Sequence, residues 1–208
     1  MTEPPANAGP AEKNSFSDRN QNRRERIVFV TDSNGDDIDA PRLKPGAEVR
    51  KKTRYRIKEA IRLSPKVTNP HEINDVVFQI GLNDLREGLD HEEIADQYVD
   101  MQLKYKKQFP NARQHVTALP PLGKDHINVN KTLQKLAQNL GCNFISAKAF
   151  TDHATGKIRS NLMRGFHYNN VGIRHLAKEI KKSLFSTANR ESKQLSQLID
   201  LRQDDENV

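Results

Sequence analysis

The sequence predicts an α/β protein: one domain built as a three-layer α/β/α sandwich around a central parallel sheet. Two observations carry this expectation. Short apolar runs rich in β-branched residues alternate along the chain with longer stretches of helical periodicity. The runs are apolar at successive positions rather than at every second one, as strands buried on both faces must be. A length of 208 residues suits one such domain with polar extensions and is too short for two enzymatic domains. With 35% hydrophobic and 29% charged residues, the chain has material for a core but is too polar for a membrane protein.

The elements follow in order. Residues 1–25 combine Pro, Asn, Ser, Glu and Arg with almost nothing apolar, the composition of a disordered polar arm, and end in a basic segment containing Arg23, Arg24 and Arg26. Residues 26–186 form the domain. Its first strand is Ile27 to Val30, and a weaker second one surrounds Val49. A helix over 53–63 follows, with Thr53 as N-cap and Ile57, Ala60 and Ile61 on one face. The third strand is Val76 to Ile80. A helix over 91–108 is marked by Ile94, Tyr98, Met101, Leu103 and Tyr105, and the fourth strand is His115 to Leu119. A helix over 127–140 carries Ile127, Leu133, Leu136 and Leu140 and stops at Gly141, before a fifth strand, Asn143 to Ile145. A last helix spans 170–184 through Val171, Ile173, Leu176, Ile180 and Leu184. Residues 187–208 form a polar tail in which Leu195, Leu198 and Ile199 have helical spacing.

Charge is focused rather than diffuse. The net charge is +7, yet the stretch from Arg42 to Lys58 alone carries eight basic residues against Glu48. Arg50, Lys51, Lys52, Arg54, Arg56 and Lys58 make a candidate polyanion-binding patch, with Arg54, Lys58 and Arg62 at i, i+4 spacing on the expected helix. Two readings stand side by side: a surface for nucleic acid or another polyanion, and a solvated helix face. No base-reading motif accompanies the charge.

The single cysteine, Cys142, excludes an internal disulfide framework and a cysteine-based zinc cluster. The remaining histidines, His71, His91, His115, His126, His153 and His175, show no metal-ligand spacing and are expected at the surface or at helix caps. Asp36, Asp37 and Asp39 are read as a solvated acidic loop. Residues 1–11 contain no apolar core of a signal peptide, so an intracellular setting, cytosolic or nuclear, is expected.

In parallel sheets, working residues gather just beyond the strands' C-terminal ends. The first strand runs into Thr31-Asp32-Ser33-Asn34-Gly35, which places a serine there. The third runs into Gly81-Leu82-Asn83-Asp84, with a glycine that allows close backbone approach and an amide that donates to an anion. The segment Arg164-Gly165-Phe166-His167 puts a histidine just ahead of the last helix. Each piece alone is ordinary turn or cap chemistry.

In this order and spacing, the three pieces resemble a divergent member of the SGNH (GDSL-type) hydrolase superfamily, whose blocks carry Gly-Asp-Ser, Gly-x-Asn-Asp and Asp-x-x-His. The resemblance spans about residues 26–185 and implies a flavodoxin-like sandwich and serine-esterase chemistry on small acyl esters, without metal or organic cofactor. It implies that Ser33 is the nucleophile and His167 its general base. Asn83 is implied as an oxyanion donor with the Ser33 backbone N–H, in the block that opens with Gly81. Serine is a poor nucleophile until an imidazole takes its proton, and a tetrahedral oxyanion needs preorganised donors.

The pattern is broken in three places. Arg164 stands where the family keeps the acid of its triad, which leaves a Ser-His dyad, or Asp152 as a substitute acid. The second-block glycine is missing near Thr53 or Arg54, and Gly46 precedes the expected strand. Thr31 replaces the first-block glycine. Two functions follow: an SGNH-type esterase working on small, for example acetyl, esters, or a catalytically impaired domain that binds nucleic acid or another polyanion through its basic patch. Domains of this kind also occur in proteins of some non-LTR retroelements, a context that a basic arm suits.

Overall fold

The computed structural model describes residues 24–152 and 158–186. The expectations for residues 1–23, for His153 and for the 187–208 tail lie outside the described residues. Five strands form one parallel sheet: β1 (Arg26–Thr31), β2 (Glu48–Thr53), β3 (Ile73–Gln79), β4 (Arg113–Thr117) and β5 (Asn143–Ile145), in the order β2-β1-β3-β4-β5. Helices α1 (Ile57–Arg62), α2 (Leu82–Arg86), α3 (His91–Gln108), α4 (Lys124–Asn139) and α5 (170–186) connect and cover it. An antiparallel hairpin, β6 (Met163–Arg164) and β7 (His167–Tyr168), immediately precedes α5. The architecture is the expected three-layer sandwich. Among the described residues, no helix is long and apolar enough to cross a membrane.

β1 and β3 are central, so both of their faces are covered. Val28, Val30, Val76 and Phe78 pack with Ile57, Tyr98, Met101, Val129 and Leu133, which places α1, α3 and α4 in one layer. Ile27, Phe29 and Val77 pack with Ile173, Leu176, Ile180 and Leu184 of α5 in the other. Side chains alternate across a strand, which is why neighbouring residues of one apolar run serve opposite layers. Burying each large side chain fully contributes about 1.5–3 kcal/mol against chain entropy. α3 begins at a capping box: Asp90 accepts from the backbone of Glu92 and Glu93, and the Glu93 carboxylate accepts from the Asp90 N–H.

The segment after Val49 departs from the sequence reading. Thr53 does not cap a helix; it is the last residue of β2, level with Thr31 of β1, and Arg54 continues the ladder by donating its N–H to Thr31 O at 2.8 Å. The helix starts at Ile57, capped by Arg56, so Arg54 is not on it and the Arg54–Lys58–Arg62 stripe does not form. β2 is an edge strand, where lysine and arginine discourage pairing with another chain. Much of the patch's charge is spent within the chain. Arg50 pairs with Glu48, Lys51 donates to the carbonyls of Asp36 and Ile38, Arg54 donates to the carbonyls of Thr53 and Leu63, and Arg56 pairs with Glu87. Arg26, read from sequence as part of the basic arm, is instead held between Glu48 and Glu72 at the start of β1.

His115 is a second correction. It is 0% exposed, inside β4, with Nε2 3.0 Å from the Asp75 carboxylate and Nδ1 2.8 Å from Ser183 Oγ. Arg113 completes the group with two contacts to Asp75, at 2.8 and 3.0 Å. His115 and Arg113 together hold the Asp75 carboxyl below the usual carboxylate range, against the opposing effect of its burial. A histidine beside apolar neighbours shows nothing in sequence of partners lying 40 and 68 positions away.

Candidate active site

The parallel register brings three chain segments to one sheet edge. Thr31 is level with Thr53 on one side and Gln79 on the other, so Ser33, Tyr55 and Asn83 all leave from the same end of the sheet. The β6–β7 hairpin arrives there from the far end of the sequence.

Asp32 organises this end. Its carboxylate is 0% exposed and accepts the Asn34 N–H at 2.9 Å on one oxygen and the Leu82 N–H at 3.4 Å on the other. Ser33 lies inside the first of these turns and Asn83 directly follows the second donor, so one buried group sets the nucleophile turn against the start of α2. Asn34 then ties in the third segment: its Oδ1 accepts the Tyr168 N–H at 3.1 Å, which fixes the hairpin beside the turn. Gly35 is required by close approach, since a Cβ there would fall 1.9 Å from Thr31 Oγ1, which donates to Gln79 Oε1 at 2.6 Å. Thr31 at the first-block glycine position is therefore accommodated by a glycine four residues later. At Gly81, φ is +115°, a backbone conformation that side chains disfavour, and it turns the chain from β3 into α2.

Ser33 is exposed, and its Oγ is 3.5 Å from His167 Nδ1. The ring nitrogen facing the serine is thus Nδ1, whereas in the Ser-His-Asp template Nε2 does so and Nδ1 is held by the acid. Turned this way, Nδ1 is not available to a carboxylate three residues upstream. Arg164 is exposed and is the cross-strand partner of His167 in the hairpin. Asp152 is exposed too, and among the described residues it is not a hydrogen-bond partner of His167.

Asn83 is 3% exposed and donates from Nδ2 to Tyr55 O at 3.0 Å, which leaves one amide hydrogen. Among the described residues the Ser33 N–H has no acceptor within the chain. At Arg54, one of the two positions where a second-block glycine is expected, the N–H goes to Thr31 O, and that of the next residue, Tyr55, goes to the Glu59 carboxylate. Asp84 accepts the Ile57 N–H at 3.2 Å and so holds the start of α1 against this block, and burial raises its carboxyl.

Sequence reading assigns no role to Asp32, Asn34 or Asp84. The signal for them is the placement of three polar residues immediately after apolar strand runs, where burial is the rule and an unpaired polar group is costly.

Solved structures place the fold. A Streptococcus pneumonia protein named for platelet activating factor superimposes with a TM-score of 0.67 at 18% identity, over 77% of this chain and 84% of that one. A GDSL-like lipase of Bacteroides thetaiotaomicron gives 0.58 at 15% identity, over 78% and 89%. The fold is that of the SGNH hydrolases. An acetyl esterase carrying a serine-to-alanine substitution, crystallised with an acetate ion, shares it with a TM-score of 0.61 at 15% identity, over 80% of this chain and 99% of that one. No protein-family model and no curated protein matches the sequence. At these identities it is the SGNH architecture that is shared; the chemistry rests on the side chains present.

Asp32 makes one measurable prediction. Burial raises its carboxyl to about 6, against the lowering effect of the hydrogen bonds it accepts. The folded chain therefore holds this proton more tightly than the unfolded one. The stabilisation is complete below the unfolded carboxylate value, near 3.8, and is lost as the pH rises through about 6. At neutral pH the protein carries a buried charge that Asp32→Asn lacks. Relative to wild type, Asp32→Asn should thus gain stability between pH 3.5 and pH 7.5, by about 3 kcal/mol in total. Paired urea titrations at the two pH values check it, and parallel shifts in both proteins would contradict it.

Proposed function

We propose that this chain is an SGNH-type ester hydrolase acting on small acyl esters, such as acetyl esters, through an acyl-enzyme on Ser33. The observation that carries the reading is the approach of Ser33 Oγ to His167 Nδ1 at the C-terminal edge of a parallel sheet, with a buried Asn83 amide brought to the same edge. His167, protonated on Nε2, accepts the Ser33 proton at Nδ1 as Oγ attacks the ester carbonyl. The negative charge that develops on the carbonyl oxygen meets the Ser33 N–H and the remaining Asn83 amide hydrogen. The imidazolium returns its proton to the leaving alkoxide, which departs as the alcohol. Water then enters and attacks the acyl carbon while giving a proton to Nδ1; the imidazolium passes that proton to Ser33 Oγ as the acyl–oxygen bond breaks, which releases the acid and restores the serine. Without a carboxylate on the imidazole, the imidazolium is less stabilised than in a triad, and the enzyme is expected to be slow.

The exposed arginine at the acid position favours a second reading, an impaired SGNH domain that binds polyanions. The ion pairs and carbonyl contacts of Arg50, Lys51, Arg54 and Arg56 reduce what the patch offers such a partner. The deciding experiment is hydrolysis of p-nitrophenyl acetate by wild type and by Ser33→Ala. Saturable turnover that falls to the buffer rate in Ser33→Ala is expected; equal rates in the two proteins would remove the esterase reading for this substrate class.

A further inference from the structure

Two exposed aromatic rings belong to the segments that carry the site, and each has an arginine guanidinium near its face. Tyr55 is 53% exposed, Phe166 51%. Tyr55 is the residue whose carbonyl accepts from Asn83, and Phe166 directly precedes His167, so both flank the candidate reacting groups. The Arg56 guanidinium lies 5.6 Å from the Tyr55 ring centre and that of Arg86 4.9 Å from the Phe166 ring centre. α2 connects the two: it carries Asn83 near its start and Arg86 at its end, and Glu87 just beyond pairs with Arg56.

The charges at this rim are unequal. Arg56 is ion-paired with Glu87; Glu59 and Asp36 keep their negative charge while accepting the Tyr55 N–H and the Thr53 hydroxyl, and neither is paired with an arginine among the described residues. Among the described residues Arg86 and Arg164 have no carboxylate partner, and Arg54 is bonded to carbonyl oxygens only. An exposed ring such as Phe166 beside a guanidinium without a carboxylate partner such as Arg86 is the chemistry that holds a flat or sugar ring together with a phosphate.

We propose that this rim binds the alcohol half of the ester, and that this half carries a ring and a phosphate group. The inference rests on the esterase reading for its orientation: the acyl carbon must lie between Ser33 and Asn83, so the alcohol half points outward to Tyr55 and Phe166. The ring stacks on Phe166 or Tyr55, and the phosphate meets Arg86 and Arg164.

Binding to the Ser33→Ala chain tests the rim without requiring turnover, so its failure is separable from failure of the esterase reading. Adenosine 5′-monophosphate, adenosine and glucose 6-phosphate are titrated by NMR; the first and third separate a base from a sugar as the source of the ring. At least one phosphate-bearing ligand is expected to bind about tenfold or more tighter than adenosine, as charge-assisted hydrogen bonds imply. That advantage should be lost in Arg86→Gln and Arg164→Gln, and binding should weaken in Phe166→Leu. Equal affinity for adenosine and both phosphates would overturn the proposal, as would binding indifferent to these substitutions. Binding of a single-stranded oligonucleotide with both small phosphates inert would overturn it too, in favour of a polymer surface.

Discussion

Arg164→Asp is expected to raise kcat for p-nitrophenyl acetate by at least about tenfold, toward a ceiling near 10⁴ set by what loss of the carboxylate costs a serine protease. Arg164 and His167 are cross-strand partners in the hairpin, so a carboxylate there stands within reach of the imidazole. The ring would turn to give Nδ1–H to the new acid and Nε2 to Ser33, and the carboxylate would stabilise the imidazolium that a guanidinium opposes. Arg164 is exposed, so its loss should leave stability within about 0.5 kcal/mol. A fall in kcat, or no change, would mean that the imidazolium of His167 does not lie on the reaction path.

Asn83→Ala is expected to lower kcat by about 10²–10³ with a much smaller change in KM, the loss typical of one oxyanion donor. The side chain has two tasks: one amide hydrogen holds Tyr55 O at 3.0 Å, and the other is left for the developing charge. Losing the Tyr55 contact costs about 1 kcal/mol of stability, which a melting curve reports separately from the kinetics. Asn83→Asp keeps the shape and removes the donors, and it should lose at least as much activity. A loss below threefold in both variants would take Asn83 out of the oxyanion site.

The sequence and the structure agree most where a segment's burial depends on itself. β1 and β3 are legible because a central strand is apolar on both faces, and α3 because Ile94, Tyr98, Met101 and Tyr105 recur on one buried face, although Leu103 is exposed. β2 is legible only weakly, around Val49, because its Lys- and Arg-rich stretch from Arg50 onward has the composition of a solvated helix face; its pairing with β1 carries the strand on to Thr53. β3, β4 and α4 start earlier than their apolar runs, since Asn74 and Asp75 separate Ile73 from the rest of β3, and Arg113, Gln114 and Lys124 open the other two with polar residues. At the site, Ser33, Asn83 and His167 are visible as residue types just beyond strands or before a helix, and the fold brings these segments to one edge. The supports are not visible. Asp32 acts through a donor 50 positions away and Asn34 through one 134 positions away, so neither role exists until β1, β3 and the hairpin are adjacent.

The most direct test of the central claim, that Ser33 is an activated nucleophile, is the mass of the protein after incubation with a fluorophosphonate. Attack of Ser33 Oγ on phosphorus expels fluoride and leaves a stable phosphonyl ester. The account predicts one adduct per chain, located on the peptide containing Ser33, absent from Ser33→Ala and formed more slowly in a His167→Ala variant. An unmodified wild-type chain, or an adduct that persists in Ser33→Ala, would contradict it.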